Sequence, residues 1–224
     1  WQLDGRHVVT VEGLKENGRL HPAQEAMVES FGSQCGYCTP GFVMALAAML
    51  EEGTPLTRQG IKDGLTGNLC RCTGYEQIID AALSLKGKSV TRIAERYHNP
   101  QMLAELEACA QDSVEIAYRE SWGREFRNIR IGIPATVADA VAFKAKHEKT
   151  VVVSGGTDLS VQMNKGKVEP DTLLSLVHLR ELEGVSENDD WLTIGAKATW
   201  TDVEHAGSES LLEFRKIIQV FASP

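Results

Sequence analysis

Two kinds of hydrophobic patterning divide the chain. Between about residues 22 and 85, apolar residues return every three or four positions, the period of one helix face. A first helix over 22–31 carries Ala26, Met27 and Ser30 on one side and Gln24, Glu25 and Glu29 on the other. A second, over 40–52, is apolar nearly all round through Phe42, Val43, Met44, Ala45, Leu46, Met49 and Leu50, the profile of a helix buried in a bundle. Its methionines read as core filler. Gly53-Thr54-Pro55 breaks it, and a third helix over 57–66 offers Ile61 and Leu65. A fourth, over 75–85, has Ile78, Ile79, Ala82 and Leu83 at helical spacing. Thr39, ahead of Pro40, and Thr73 are the expected caps of the second and fourth helices. Gly67 and Asn68 suit the left-handed residues that end the third. These four short helices predict a small all-α bundle.

From about residue 129 the pattern changes to short apolar runs broken by helical stretches and glycine-rich turns. Residues 130–134 are strand-like, and Thr136 with Asp139 is a variant capping box opening a helix with Ala140, Val141, Phe143 and Ala145. Thr150-Val151-Val152-Val153 predicts a buried strand running straight into Ser154-Gly155-Gly156-Thr157-Asp158-Leu159. The fold class is therefore α+β, with a helical domain at 1–85 and a mixed domain at 129–224. Residues 86–128 lack a sustained period apart from a helix at 101–111 after Asn99-Pro100, and read as an interdomain linker. At the front, 1–11 predicts a turn at Asp4-Gly5 followed by a short strand.

Composition narrows the class without naming it. At 224 residues the chain can bury two small cores. A net charge of −8 argues against a nucleic-acid partner. The longest apolar stretch, 42–50, is about half of what a membrane-spanning helix needs. No charged-then-apolar leader pattern opens the sequence, so no membrane partner is expected and the cytoplasm is the expected compartment.

Cysteine placement changes the picture most. Four of the five cysteines form a C-x2-C pair, Cys35 and Cys38, and a C-x-C pair, Cys70 and Cys72, separated by 31 residues. Each pair lies on a turn just ahead of a predicted helix, so two helix N-termini could aim their dipoles at thiolates on one metal centre. A four-thiolate zinc site is one reading, although zinc pairs usually come as C-x2-4-C on hairpin knuckles. The tight C-x-C and the helical setting favour a [2Fe-2S] cluster. A disulfide framework fits an odd cysteine count poorly. Cys109 has no partner nearby and is assigned no role. The strand followed by Ser154-Gly155-Gly156-Thr157 could cradle a phosphate through backbone N–H groups and a helix dipole, or could be an ordinary tight turn.

Gln34-Cys35-Gly36-Tyr37-Cys38-Thr39-Pro40-Gly41 and Gly67-Asn68-Leu69-Cys70-Arg71-Cys72-Thr73-Gly74-Tyr75 resemble the helical [2Fe-2S] domain of the molybdenum hydroxylases, as do Thr10-Val11-Glu12-Gly13-Leu14 and His21-Pro22-Ala23-Gln24-Glu25-Ala26. Residues 151–159 and Leu192-Thr193-Ile194-Gly195-Ala196 resemble the FAD-binding domain of the same enzymes. The resemblance implies Cys35, Cys38, Cys70 and Cys72 as cluster ligands. It also implies that Val152, Val153, Ser154, Gly155, Gly156, Thr157, Asp158 and Leu159 line the FAD diphosphate, mostly through main-chain N–H groups. It implies no catalytic residue here: a molybdenum-pterin subunit or domain hydroxylates a purine, an aldehyde or another N-heterocycle. Electrons then pass through [2Fe-2S] to FAD and on to NAD or oxygen. Two further implications concern the ends. Residues 1–14 would be the tail of a ferredoxin-like [2Fe-2S] domain whose cysteines are not in this sequence, and 129–224 would be the front part of the flavin domain. Gln34 would face the molybdopterin partner.

Overall fold

A computed structural model describes residues 3–122, 125–206, 212–218 and 221. These form two compact units, one built on residues 8–99 and the other on residues 100–218 with residues 3–7 attached. The first unit is helical and the second mixes helices with all of the described strands, which makes an α+β chain.

In the first unit the helices are α1 (Pro22–Glu29), α2 (Thr39–Glu52), α3 (Arg58–Gly64), α4 (Glu76–Ser84) and the single-turn α5 (Ile93–Arg96). α1 packs on α2 and α4, and α3 packs on α4. The all-round apolar character of α2 has the expected result, with Phe42, Val43, Leu46, Ala47 and Met49 all buried. Leu14, Ile61, Ile78 and Leu85 complete the core around it. Met49 does fill a gap: a Cβ on Gly64 would stand 2.9 Å from its Sδ, so α3 approaches α2 only because residue 64 is glycine.

Local capping differs from expectation in several places. α1 is capped by His21, whose Nδ1 accepts from the Ala23 N–H at 3.2 Å while Gln24 Oε1 accepts from the His21 N–H at 2.9 Å. Thr57 Oγ1 accepts from the Gly60 N–H and starts α3. Gly67 and Asn68 do not take left-handed geometry. Thr66 Oγ1 donates to the Asp63 carbonyl and the Asn68 N–H donates to that of Leu65, so successive turns close the helix instead.

Beyond α4 the chain stays attached to this unit. Arg96, with only 9% of its side chain exposed, donates to the carbonyls of Gly13, Leu14 and Lys15, and the Tyr97 hydroxyl donates to the Gly13 carbonyl at 2.7 Å. The strand expected before residue 11 does not form. The turn at Asp4-Gly5 is present, but no described strand lies beside residues 6–10, and the chain enters a 3-10 turn at Val11–Leu14. A strand without a neighbour leaves its backbone groups unpaired.

The second unit contains α6 (Pro100–Cys109), β1 (Val114–Trp122), β2 (Glu125–Ile133), α7 (Val137–Lys146), β3 (Val151–Val153), α8 (Thr157–Asn164) and β4 (Thr172–Ser175). A small hairpin of β5 (Val185–Glu187) and β6 (Leu192–Ile194) follows, then α9 (Trp200–His205) and α10 (Leu212–Ile218). The main sheet has the order β1-β2-β4-β3. β1 and β2 are antiparallel, pairing Val114 with Ile133 and Tyr118 with Ile129, while β4 runs parallel to both β2 and β3. The stretch expected to be a linker thus holds an ordered helix and a nine-residue strand. Val114, Ile116 and Tyr118 do alternate with other residues, but Ala117 and the adjacent charges Arg119 and Glu120 blur the period. β3 is an edge strand, so only Val153 is buried and Val152 remains 41% exposed, contrary to the buried strand expected. α7 covers the sheet with Ala140 and Phe143. A Cβ at Gly132 would lie 2.6 Å from the Phe143 ring, which makes that glycine the condition of the packing. Residues 3–7 join this unit through Asp4, whose Oδ2 lies 2.6 Å from His178 Nε2. Among the described residues no helix is long and apolar enough to cross a membrane.

Phe42 is fully buried at the centre of the first core, edge-on to Tyr75 with ring centroids 6.3 Å apart. Phe42→Ala should lower the unfolding free energy by about 3–5 kcal/mol, read by denaturant titration of the helical circular dichroism signal. A change below about 1 kcal/mol would mean that α2 is not the pivot of this core.

Candidate functional site

The thiols sit where two helices begin. The first pair occupies the turn before α2, and Cys38 takes the N-cap position. Thr39 is not the cap: it lies inside the helix and its hydroxyl donates to Ser33 Oγ at 2.7 Å. The turn is closed by the Thr39 N–H donating to the Gly36 carbonyl at 3.2 Å, with Gly36 in the left-handed region. The second pair precedes α4, and Thr73 does not cap that helix either. Tyr75 is the N-cap residue, with φ of 73° following Gly74 at 68°. This left-handed pair reverses the chain so that the Tyr75 hydroxyl accepts from the Cys70 N–H at 3.0 Å, while Thr73 Oγ1 accepts from the Tyr75 N–H at 3.2 Å. A non-glycine residue at positive φ is strained, and here the buried edge contact with Phe42 and the hydroxyl hold it in place.

Packing α2 and α4 into one bundle brings the two turns together. Cys35 Sγ and Cys72 Sγ are 3.6 Å apart, and the Cys38 thiol donates to the Cys70 sulfur. Sulfurs therefore meet across the turns rather than within them, and none is joined in a disulfide. Within each cross-pair the two members differ. Cys70 is pushed down to about 7, first by the Thr73 hydroxyl 3.3 Å from its sulfur and then by the backbone N–H groups of Cys72 and Thr73. Burial pushes the Cys38 thiol up. Cys35 is lowered, chiefly by the Tyr37 backbone N–H, while Cys72 is raised because its thiol donates to Cys35. Four unbonded sulfurs, with backbone N–H groups already aimed at two of them, have the chemistry of a thiolate-bound cluster, while among the described residues no three such side chains stand in metal-holding geometry. Cys109 ends α6 in the other unit.

The glycine-rich turn joins β3 to α8. Gly156 has φ of 72° and is the N-cap of α8, so a side chain there would be strained whatever the ligand. Gly155 differs: a Cβ would meet nothing within 4 Å. Its missing side chain serves nothing in the chain itself and leaves room for the close approach of another molecule. Ser154 and Gly155 line a cleft of about 850 Å³, together with Arg6, Val177, Glu183 and Lys197 among others. The other expected residues do not line it. Val153 is buried, Val152, Thr157 and Asp158 are exposed, and Leu159 is half-buried. Volume and open glycine backbone fit a dinucleotide. Sequence reasoning missed Lys197, although the run Leu192–Ala196 stops one residue short of it. A basic residue just past a strand and a glycine was the available signal.

A family model described as "[2Fe-2S] binding domain" matches residues 10–83, and one described as "FAD binding domain in molybdopterin dehydrogenase" matches residues 125–224. The chain belongs to the molybdenum hydroxylase family. It carries the [2Fe-2S]-binding and FAD-binding parts of such an oxidoreductase. Xanthine dehydrogenase of Emericella nidulans is 28% identical, across 93% of this chain and 18% of its own length. Xanthine dehydrogenase 1 of Arabidopsis thaliana is 27% identical, across 98% and 19%. Aldehyde oxidase 1 of Cavia porcellus is 31% identical, across 90% and 18%. The chain thus spans less than a fifth of the length of these molybdenum hydroxylases.

Two outcomes test the geometry. In the metal-free protein, Thr73→Val removes the leading cause of the low Cys70 value, so its titration, followed by thiolate absorbance near 240 nm, should move up from about 7 toward the ordinary thiol range. No movement would dissociate the hydroxyl from the sulfur. Gly155→Val should weaken FAD retention at least tenfold without lowering the melting temperature of the flavin-free protein, since a Cβ at this position meets nothing within 4 Å. Equal loss of both would make Gly155 a folding residue.

Proposed function

We propose that this chain is the electron relay of a xanthine dehydrogenase-type molybdenum hydroxylase. It takes electrons from a molybdopterin-containing subunit or domain and delivers them to FAD, with NAD or oxygen as the final acceptor. The observation that carries the reading is the pairing of sulfurs across two turns that lead into helices, in the same chain as a cleft lined by Ser154 and Gly155. Cys35, Cys38, Cys70 and Cys72 would hold the [2Fe-2S] cluster. Residues 152–159 would hold the FAD diphosphate. When bound, the cluster supplies one-electron transfer and the flavin couples that to two-electron chemistry.

The residues of the chain do the rest. The N–H groups of Tyr37, Cys72 and Thr73 and the Thr73 hydroxyl stabilise thiolate charge, which biases the site toward metal binding at neutral pH. The Cys70 side is buried while Cys35 and Cys72 reach the surface, so the site has an inner and an outer edge. Gln34 and Tyr37 are exposed beside the outer edge, and Tyr37 is 95% so. An amide can both donate to and accept from a heterocycle, which suits Gln34 to a pterin-bearing partner. A ferredoxin-like [2Fe-2S] domain is a further partner in this reading, and the cytoplasm, where thiols stay reduced, is its compartment. Relatives named xanthine dehydrogenase and aldehyde oxidase are similarly alike, so a purine, an aldehyde or another N-heterocycle would share this relay.

Cys→Ser at any of residues 35, 38, 70 or 72 should abolish or strongly perturb one [2Fe-2S] signal in electron paramagnetic resonance of the reduced protein, and Cys109→Ser should leave it intact. A colourless protein holding one zinc ion would instead establish a structural metal module and end the relay reading.

A further inference from the structure

We infer that Lys197 is the cation that neutralises the FAD diphosphate in the cleft beside Ser154 and Gly155, an assignment resting on the proposed flavin site. The side chain of Lys197 is only 9% exposed, yet it lines the cleft. A buried ammonium must be compensated by hydrogen bonds and opposite charge. Its Nζ donates to the Val177 carbonyl at 2.8 Å and to Glu183 Oε1 at 2.7 Å. An ammonium has three N–H donors, and these contacts account for two. The partnership is also lopsided. Glu183 is 52% exposed, so water screens the carboxylate while the ammonium is held inside the wall.

The backbone around Lys197 is preorganised. Its own N–H donates to the Leu182 carbonyl at 2.8 Å, and the Gly195 N–H donates to that of Gly184 at 2.9 Å. A Cβ at Gly195 would overlap the Leu182 carbonyl, so only glycine lets β6 run on into Lys197 against this loop. Turn N–H groups orient a diphosphate but carry only partial charge, whereas the ligand brings full negative charge into a partly desolvated cleft. The other ionisable groups on the cleft are Arg6, His205, Glu183 and Asp202. Of these, Glu183 is already bound to Lys197, and Asp202 caps α9 by accepting from the Thr199 N–H at 2.7 Å. Lys197 is the one that combines formal positive charge, burial and a fixed backbone.

The test is FAD affinity of the holoenzyme after flavin removal and titration with FAD, with three substitutions compared. Lys197→Met should weaken FAD on the order of 10- to 100-fold and flatten the salt dependence of binding. Lys197→Arg should recover part of the loss. Glu183→Gln removes a competing carboxylate and should leave FAD binding unchanged or tighter. A merely structural Lys197–Glu183 brace would make Glu183→Gln as damaging as Lys197→Met, and that result overturns the inference, as does wild-type affinity in Lys197→Met. If Lys197→Met does not fold, a tenfold loss in Glu183→Gln alone is decisive against it. Gly155→Val separates the two levels. If it weakens FAD and Lys197→Met does not, the cleft stands and the role of Lys197 falls. If neither weakens FAD, the flavin site lies elsewhere and both fall.

Discussion

Four sulfurs held within reach of one another cannot all ionise unless positive charge or hydrogen-bond donors face them. The first unit is arranged to meet that constraint. Each pair of cysteines stands on the turn ahead of a helix, where the backbone N–H groups of Tyr37, Cys72 and Thr73 face the sulfurs. α1 packs on both α2 and α4 and so holds the two turns in one bundle, and the most apolar helix, α2, is buried at its centre. Phe42 sits between the two functions. It belongs to the core, and its contact with Tyr75 supports the left-handed turn that places Cys70. Core and site are not separable here.

Hydrogen bonding across the site also distributes protons unevenly. Cys70 is held low by the Thr73 hydroxyl and the backbone N–H groups of Cys72 and Thr73, while burial raises Cys38, and the Cys35–Cys72 contact likewise pairs a lowered thiol with a raised one near the surface. In the proposed ligand role Cys35 and Cys70 would give up their protons most readily, while the raised thiols of Cys38 and Cys72 would keep theirs longer.

Much of this was legible in the sequence, because each legible feature has a short-range cause. Helical period placed α1 to α4 within a few residues, and the spacing of the cysteines singled out the ligand candidates. The turn before α8 was visible from Val151 to Leu159. What escaped depended on partners distant in sequence. Thr39 and Thr73 have the composition of caps, but Ser33, Cys70 and the Tyr75 backbone engage their hydroxyls instead. β1 is a strand because β2 pairs with it along nine residues, not because its own residues insist on it. The edge position of β3 follows from sheet order, which no local pattern contains. Lys197 matters only because the fold carries residues 177, 183 and 197 to one wall.

The bonds from Arg96 and Tyr97 back to Gly13, Leu14 and Lys15 have an architectural consequence. They tie the last turn of the helical unit to its first, so the peptide leaves this unit close to where it came in. A module whose two ends are clasped together can be joined to different neighbours, or spliced between them, with little disturbance to its interior. The clasp uses backbone carbonyls as acceptors on one side, yet residue 13 must stay small, because a Cβ there would lie 2.7 Å from Val9 Cγ1 and 3.1 Å from the Tyr97 hydroxyl. Evolution could therefore shuffle such a thiol-bearing cassette among larger assemblies while its internal wiring stayed fixed.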